Sequence, residues 1–216
     1  MKTRLSETLL LGFVVLVVAG CHKLEATTKV ESNGSGELRM GVGFSPEERA
    51  NLEKQNPNQR DFCNVSQTQP NVVVTEEQRG DETWCITVTQ FKDLDELRGL
   101  YGQRKGIKIN RLEISGGKFY YDVDLDTSSA ESNFSALTDI RWSIVLPGAL
   151  IDHNADEVDG NALTWVSTHQ SGIVSLRAES EAPRSILNFL LWSAGFLGVG
   201  VTLIQLIRRR RNSRLP

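Results

Sequence analysis

The residues of this chain predict an α+β fold: an antiparallel sheet with two or three short helices, followed by one C-terminal transmembrane helix. Three observations carry it. Several runs alternate apolar and polar residues with period 2, the mark of strands with one buried face. Two short stretches carry helix-start residues between those runs. Ile186 to Ile207 is an uncharged run of 22 residues, long enough to cross a hydrocarbon core of about 30 Å.

Before the first strand lies an export signal. Basic Lys2 and Arg4 precede an apolar run from Leu9 to Gly20, which ends in Val18-Ala19-Gly20-Cys21. A charged start, a short apolar stretch and small residues before a cleavage point make a secretory signal, here residues 1–20. A cysteine directly after Ala-Gly resembles the bacterial lipobox, so Cys21 is read as the lipidated residue and the new N-terminus. The alternative is an uncleaved anchor, but the apolar run falls short of the roughly 20 residues a spanning helix needs. Residues 21–35 are polar, end in Asn33-Gly34-Ser35, and read as a lipidated tether.

The exported domain follows as residues 36–183. Leu38, Met40, Val42 and Phe44 alternate with Glu37, Arg39, Gly41 and Gly43, which predicts a strand. Ser45-Pro46-Glu47-Glu48 is a helix start with a capping box, and the helix is expected to reach about Gln55. Val72 to Thr75 and Thr83 to Thr89 are β-rich. Asp93 caps a second helix ending at Tyr101-Gly102. Phe119, Tyr121, Val123 and Leu125 share one strand face, and Ile140, Trp142, Ile144 and Leu146 another. Asp159-Gly160 joins Ile151–Val158 to Asn161–Ser167 as a hairpin, and Gly172 to Glu179 forms the last strand. Residues 186–207 are the membrane span. Arg208 to Arg211 and Arg214 then hold a basic tail, residues 208–216, in the cytoplasm.

Charge and cysteine content narrow the function classes. Residues 22–183 hold 26 acids against 16 bases, a formal charge of about −10. Such a domain is a poor partner for nucleic acid, whose affinity comes from neutralising phosphates. Cys63 and Cys85 are the cysteines left after Cys21, and an oxidising compartment favours their pairing as a disulfide. A redox couple would call for the CxxC spacing that lowers a thiol pKa, which they lack.

No catalytic pattern is present, so the chain is not read as an enzyme and no cofactor is expected. There is no Gly-x-Ser-x-Gly elbow and no phosphate-binding glycine loop. Asp152, Asn154, Asp156 and Asp159 approach a calcium-loop spacing, but Glu157 stands where that loop needs glycine and Leu163 where it needs glutamate. His153 and His169 lack partners at zinc spacing. One cluster stands out in the acidic domain: Arg98, Arg104, Lys105, Lys108, Arg111 and Lys118, interrupted only by Glu113 and interleaved with apolar Leu100, Tyr101, Ile107 and Ile109. Of these, Arg104, Lys105, Lys108 and Arg111 are the expected headgroup contacts. A basic rim beside apolar residues suits a phospholipid or phosphoglycolipid headgroup. The alternative is a solvated strand and turn that balance nearby acids.

Trp142-Ser143-Ile144-Val145-Leu146-Pro147-Gly148-Ala149, then Asn154, then Asp159-Gly160-Asn161-Ala162-Leu163-Thr164-Trp165, and finally Ser175-Leu176-Arg177-Ala178-Glu179-Ser180 carry a resemblance. They resemble the LppM-type domain of actinobacterial lipoproteins: a strand ending in Leu-Pro-Gly, an Asn…Gly-Asn hairpin leading to Trp, and a last strand before a hydrophobic helix. The Cys63–Cys85 pair is not part of the matching motifs. The resemblance implies a cell-envelope protein in contact with lipid or glycolipid, without an established enzymatic activity. The expected function is therefore a membrane-anchored, extracytoplasmic, non-enzymatic domain that binds or presents lipid. The alternative is an interaction or scaffold module of an envelope complex, with envelope proteins as partners.

Overall fold

Alternation along the chain sorts side chains to two faces, and in this protein two sheets share the apolar one. The structure, a computed structural model, describes residues 22–55, 61–65, 70–129, 131–134, 137–168 and 171–182. In chain order the elements are β1 (His22–Val30), β2 (Gly36–Phe44), α1 (Pro46–Gln55), β3 (Val72–Arg79), β4 (Glu82–Phe91), α2 (Leu94–Gly102), β5 (Ile107–Ser115) and β6 (Lys118–Asp126). They continue with β7 (Leu137–Val145), β8 (Leu150–His153), β9 (Glu157–Asp159), β10 (Ala162–Ser167) and β11 (Ile173–Glu181). The larger sheet has the order β3-β4-β2-β1-β7-β10-β9, and the smaller one β5-β6-β11-β8.

This corrects the expected α+β arrangement of one antiparallel sheet with helices on a face. The described residues are mostly strand, in two sheets, with only α1 and α2 as α-helices. One pairing, β1 with β7, is parallel. Leu24, Leu38, Ile140, Trp142, Ile144 and Leu163 of the larger sheet join one core with Leu112, Phe119, Tyr121, Val123, Leu125 and Leu176 of the smaller sheet. Helix α2 adds Leu97 and Tyr101 to that core, whereas α1 buries no residue. Period 2 reports which residues share a face, and it is silent on whether a helix or a second sheet covers that face.

The tether reading of residues 21–35 is also corrected. His22–Val30 is β1, an interior strand paired with β2 on one side and β7 on the other. Its inward residues Leu24, Ala26, Thr28 and Val30 are buried. Two of the four are alanine and threonine, so the alternation is weak to the eye. Burial of Thr28 is tolerated because its hydroxyl pairs with that of Tyr101 at 2.6 Å. The hairpin at Asp159-Gly160 forms, but β8 leaves it to pair with β11 in the smaller sheet. Gly160 has φ 58°, the conformation such a turn needs. The signal segment, Cys21, the span at 186–207 and the basic tail lie outside the described residues. Among the described residues no helix is long and apolar enough to cross a membrane.

Candidate functional site

Helix α2 positions the basic cluster. Asp93 Oδ1 accepts from the Glu96 amide at 2.9 Å, and Glu96 Oε2 accepts from the Lys92 amide at 2.8 Å, so the first turn is closed from both ends. The helix then lays Leu97 and Tyr101, both fully buried, into the core. It ends on a turn in which the Ile107 amide reaches the Arg104 carbonyl and the Asp126 amide reaches the Gly106 carbonyl. Gly106 has φ 94°, so the chain reverses there into edge strand β5.

The four basic residues part company at this turn. Arg104 points back toward the larger sheet, where its Nε donates to Met40 Sδ at 3.0 Å. Burial holds its guanidinium below the usual arginine range, opposed by the nearby Tyr101 hydroxyl. Among the described residues no carboxylate pairs with it. Every other described arginine, at positions 39, 49, 79, 98, 111, 141 and 177, does hold a carboxylate. Partly buried Leu100, Ile107 and Ile109 pack against the core on the same helix, turn and strand. Lys105 is exposed, and no carboxylate among the described residues reaches it. Lys108 and Arg111 lie opposite Asp124 and Asp122 on the outer face of β5. Lys108 stands 4.0 Å from Asp124, and Arg111 pairs with Glu113 at 2.7 Å while lying over the Tyr120 ring at 3.4 Å. Two residues of the cluster thus meet acids on the solvated face, and two do not.

Close to Arg104 runs a chain of buried polar groups. Tyr101 Oη lies 2.6 Å from Thr28 Oγ1 and 3.3 Å from Tyr121 Oη, which accepts from Trp142 Nε1 at 2.8 Å. Burial raises the Tyr101 hydroxyl and raises Tyr121 well above the ordinary tyrosine value, so both stay neutral. Trp165 stacks on Tyr121 at 6.1 Å, and its Nε1 donates to Asn154 Oδ1 at 2.8 Å. The same Asn154 oxygen accepts from the Arg177 amide, and its Nδ2 donates to the Ser175 carbonyl. The hairpin-motif residues Asn154 and Trp165 therefore tie the two sheets together, and Trp142 and Trp165 are core side chains. Among the described residues no cluster could hold a metal ion. His153 Nδ1 accepts from the Ala155 amide within its own turn, and His169 lies outside the described residues.

Cys63 and Cys85 form a disulfide, with Cα atoms 5.2 Å apart. It fastens the 61–65 segment to β4, and Phe62 meets Phe44 of the neighbouring β2 edge to face at 5.1 Å. The sequence reading missed a second feature, on the outer face of the larger sheet. Trp84 lies flat over Gly41 and Gly43, and Arg79 covers its ring at 4.6 Å. Beside it is an open depression of about 260 Å³ whose charged lining is Lys23, Glu25, Arg79, Glu82, Asp139 and Arg141. Its cations already hold Glu82, Glu25 and Glu157, so it offers little net attraction to an ion of either sign. The alternating glycines opposite a tryptophan were the signal for it.

No family model matches the chain, and no curated protein sequence does. Among solved structures, the chain is similar to the NMR structure of the folded domain of the Mycobacterium tuberculosis LppM protein. The likeness has a TM-score of 0.52 at 14% identity, over 76% of this chain and 91% of that one. At that identity it speaks for the fold alone, which is LppM-like.

Proposed function

We propose that this chain is a non-enzymatic domain of the cell envelope, exported and held at the plasma membrane by Cys21 lipidation and by a single C-terminal span, and that it binds or presents an anionic lipid or glycolipid. One observation carries the lipid reading: Arg104 is partly buried among apolar side chains without the carboxylate that every other described arginine has. A cation withdrawn from water without a counter-charge costs several kcal/mol before relaxation. An anionic headgroup relieves that cost with charge-assisted hydrogen bonds, while Leu100, Ile107 and Ile109 supply apolar surface for the start of an acyl chain. Lys105 is the second contact. Lys108 and Arg111, engaged with Asp124 and Glu113, contribute less. The LppM-like fold and the Leu-Pro-Gly and Asn…Trp motifs support the same assignment to envelope lipoproteins.

The test titrates the full-length protein in non-ionic detergent with phosphatidylglycerol and with phosphatidylcholine. Preferential binding of the anionic lipid, lost in Arg104→Met and kept in Lys108→Ser, supports the site. Equal binding of both lipids by all three proteins overturns it. The interaction-module reading rests on β3, an eight-residue edge strand whose Val73 is 50% exposed. A partner whose binding is abolished by Val73→Lys would favour that reading.

A further inference from the structure

The two attachment points leave the domain at opposite ends of its strands. Cys21 is joined directly to His22, the first residue of β1. Strand β7 runs parallel to β1, so Val145 lies at the Val30 end. From Val145 the chain crosses through Leu146-Pro147-Gly148 to the smaller sheet, where the Glu181 amide bonds the Ala149 carbonyl. The Ala182 amide bonds the Gly117 carbonyl, in the β5–β6 turn. A second contact fixes the same end independently. A Cβ on Gly34, in the β1–β2 turn, would stand 3.9 Å from Ile114 Cδ1, just before that β5–β6 turn. The exit at Ala182 therefore lies beside the Val30 end, a full strand length from His22.

Strand and linker lengths limit how the domain can sit on a bilayer. The nine residues of β1 span about 26 Å. From Ala182 to Ile186, where the uncharged run begins, four residue steps reach at most about 14 Å. With His22 at the bilayer and the strands upright, Ala182 would stand too high for the span to enter the membrane. With Ala182 at the bilayer, Cys21 would be too high for its acyl chains. Resting on the proposal that both anchors hold the chain, we infer that the domain lies on its side on the leaflet, with the strands of the larger sheet along the membrane plane and each end held by its own anchor. The partner of one long side is then the lipid surface itself, and lateral tilting is suppressed.

The experiment places fluorophores on full-length protein in vesicles of phosphatidylglycerol and phosphatidylethanolamine carrying a headgroup-linked quencher. One label sits at Ser32→Cys, in the β1–β2 turn, and the other at Asp81→Cys, in the β3–β4 turn beside the start of β1. Comparable quenching at both positions, with loss at Asp81 alone after Cys21→Ala, supports the inference. Quenching at Asp81 alone means an upright domain on its lipid anchor, and quenching at Ser32 alone means one hanging from its span; either overturns the inference. The intact mass of the same sample reads acylation of Cys21. An unacylated Cys21 removes the anchoring premise, whereas an acylated chain quenched at one end leaves that premise standing and sinks the orientation alone.

Discussion

Arg104 is partly buried and Tyr121 fully buried, yet replacing their polar groups should act in opposite directions. Replacing a partly buried, carboxylate-free cation with an apolar side chain of similar volume removes a desolvation cost. Arg104→Met is expected to raise stability, or leave it unchanged within about 1 kcal/mol, while abolishing preference for anionic lipid. A lowered melting temperature with lipid preference intact would make Arg104 a structural residue. Tyr121→Phe is the opposite case. It takes the acceptor from Trp142 Nε1 and a partner from Tyr101 Oη, both buried. Leaving such groups unsatisfied costs about 1–3 kcal/mol, which chemical denaturation reads as a lower midpoint with an unchanged slope. The role of Tyr121 could not be foreseen from its neighbours in sequence. Alternation placed it on the inner face of β6, but its partners Tyr101 and Trp142 come from two other elements, α2 and β7.

Element boundaries were readable where local chemistry sets them. Ser45 and Glu48 form the expected capping box, with the Ser45 amide reaching Glu48 Oε2 at 2.7 Å, and Asp93 caps α2 as its position suggests. Asp93→Ala should cost about 1 kcal/mol and should loosen the Arg104 turn at the far end of the same helix. Far-ultraviolet circular dichroism through the thermal transition would read the change, and an unaltered midpoint would count against the cap. Strand β1 was hidden because its inward positions include alanine and threonine, and β5 because its outward positions are basic and a bulge at Asn110 breaks the period. Sheet membership was not readable at all. The Leu150–His153 strand and the Glu157–Asp159 strand are adjacent in sequence yet belong to different sheets, and neither carries a buried residue whose alternation could have told them apart. The basic cluster was legible as composition, but its division into Arg104 facing inward and Arg111 facing outward depends on the turn at Gly106.

Taken whole, the molecule is a two-sheet body stapled at one corner and charged on its outside. The Cys63–Cys85 link closes a loop of 22 residues, worth about 3 kcal/mol in the chain-entropy picture. Reduction should lower the melting temperature without removing lipid preference, because Arg104 lies on other elements. Acid should also weaken the fold. Asp124 is held below the usual carboxylate range by the Ser175 hydroxyl and then the Asn110 amide, and Asp126 by the backbone amides of Ser129 and Ser128. A carboxylate depressed in the folded state stabilises it fully above the unfolded value of about 4, and that contribution is lost as pH falls through the lower folded value. The melting temperature should therefore hold at neutral pH and drop on acidification below about pH 4; a flat profile to pH 3 would contradict this. The central claim, an envelope domain that holds anionic lipid at Arg104, is tested most directly by native mass spectrometry of the full-length protein purified from a bacterial envelope. A co-purifying anionic lipid at fixed stoichiometry, absent from Arg104→Met, is the predicted result. A lipid-free wild-type protein, or the same adduct on both, would contradict the claim.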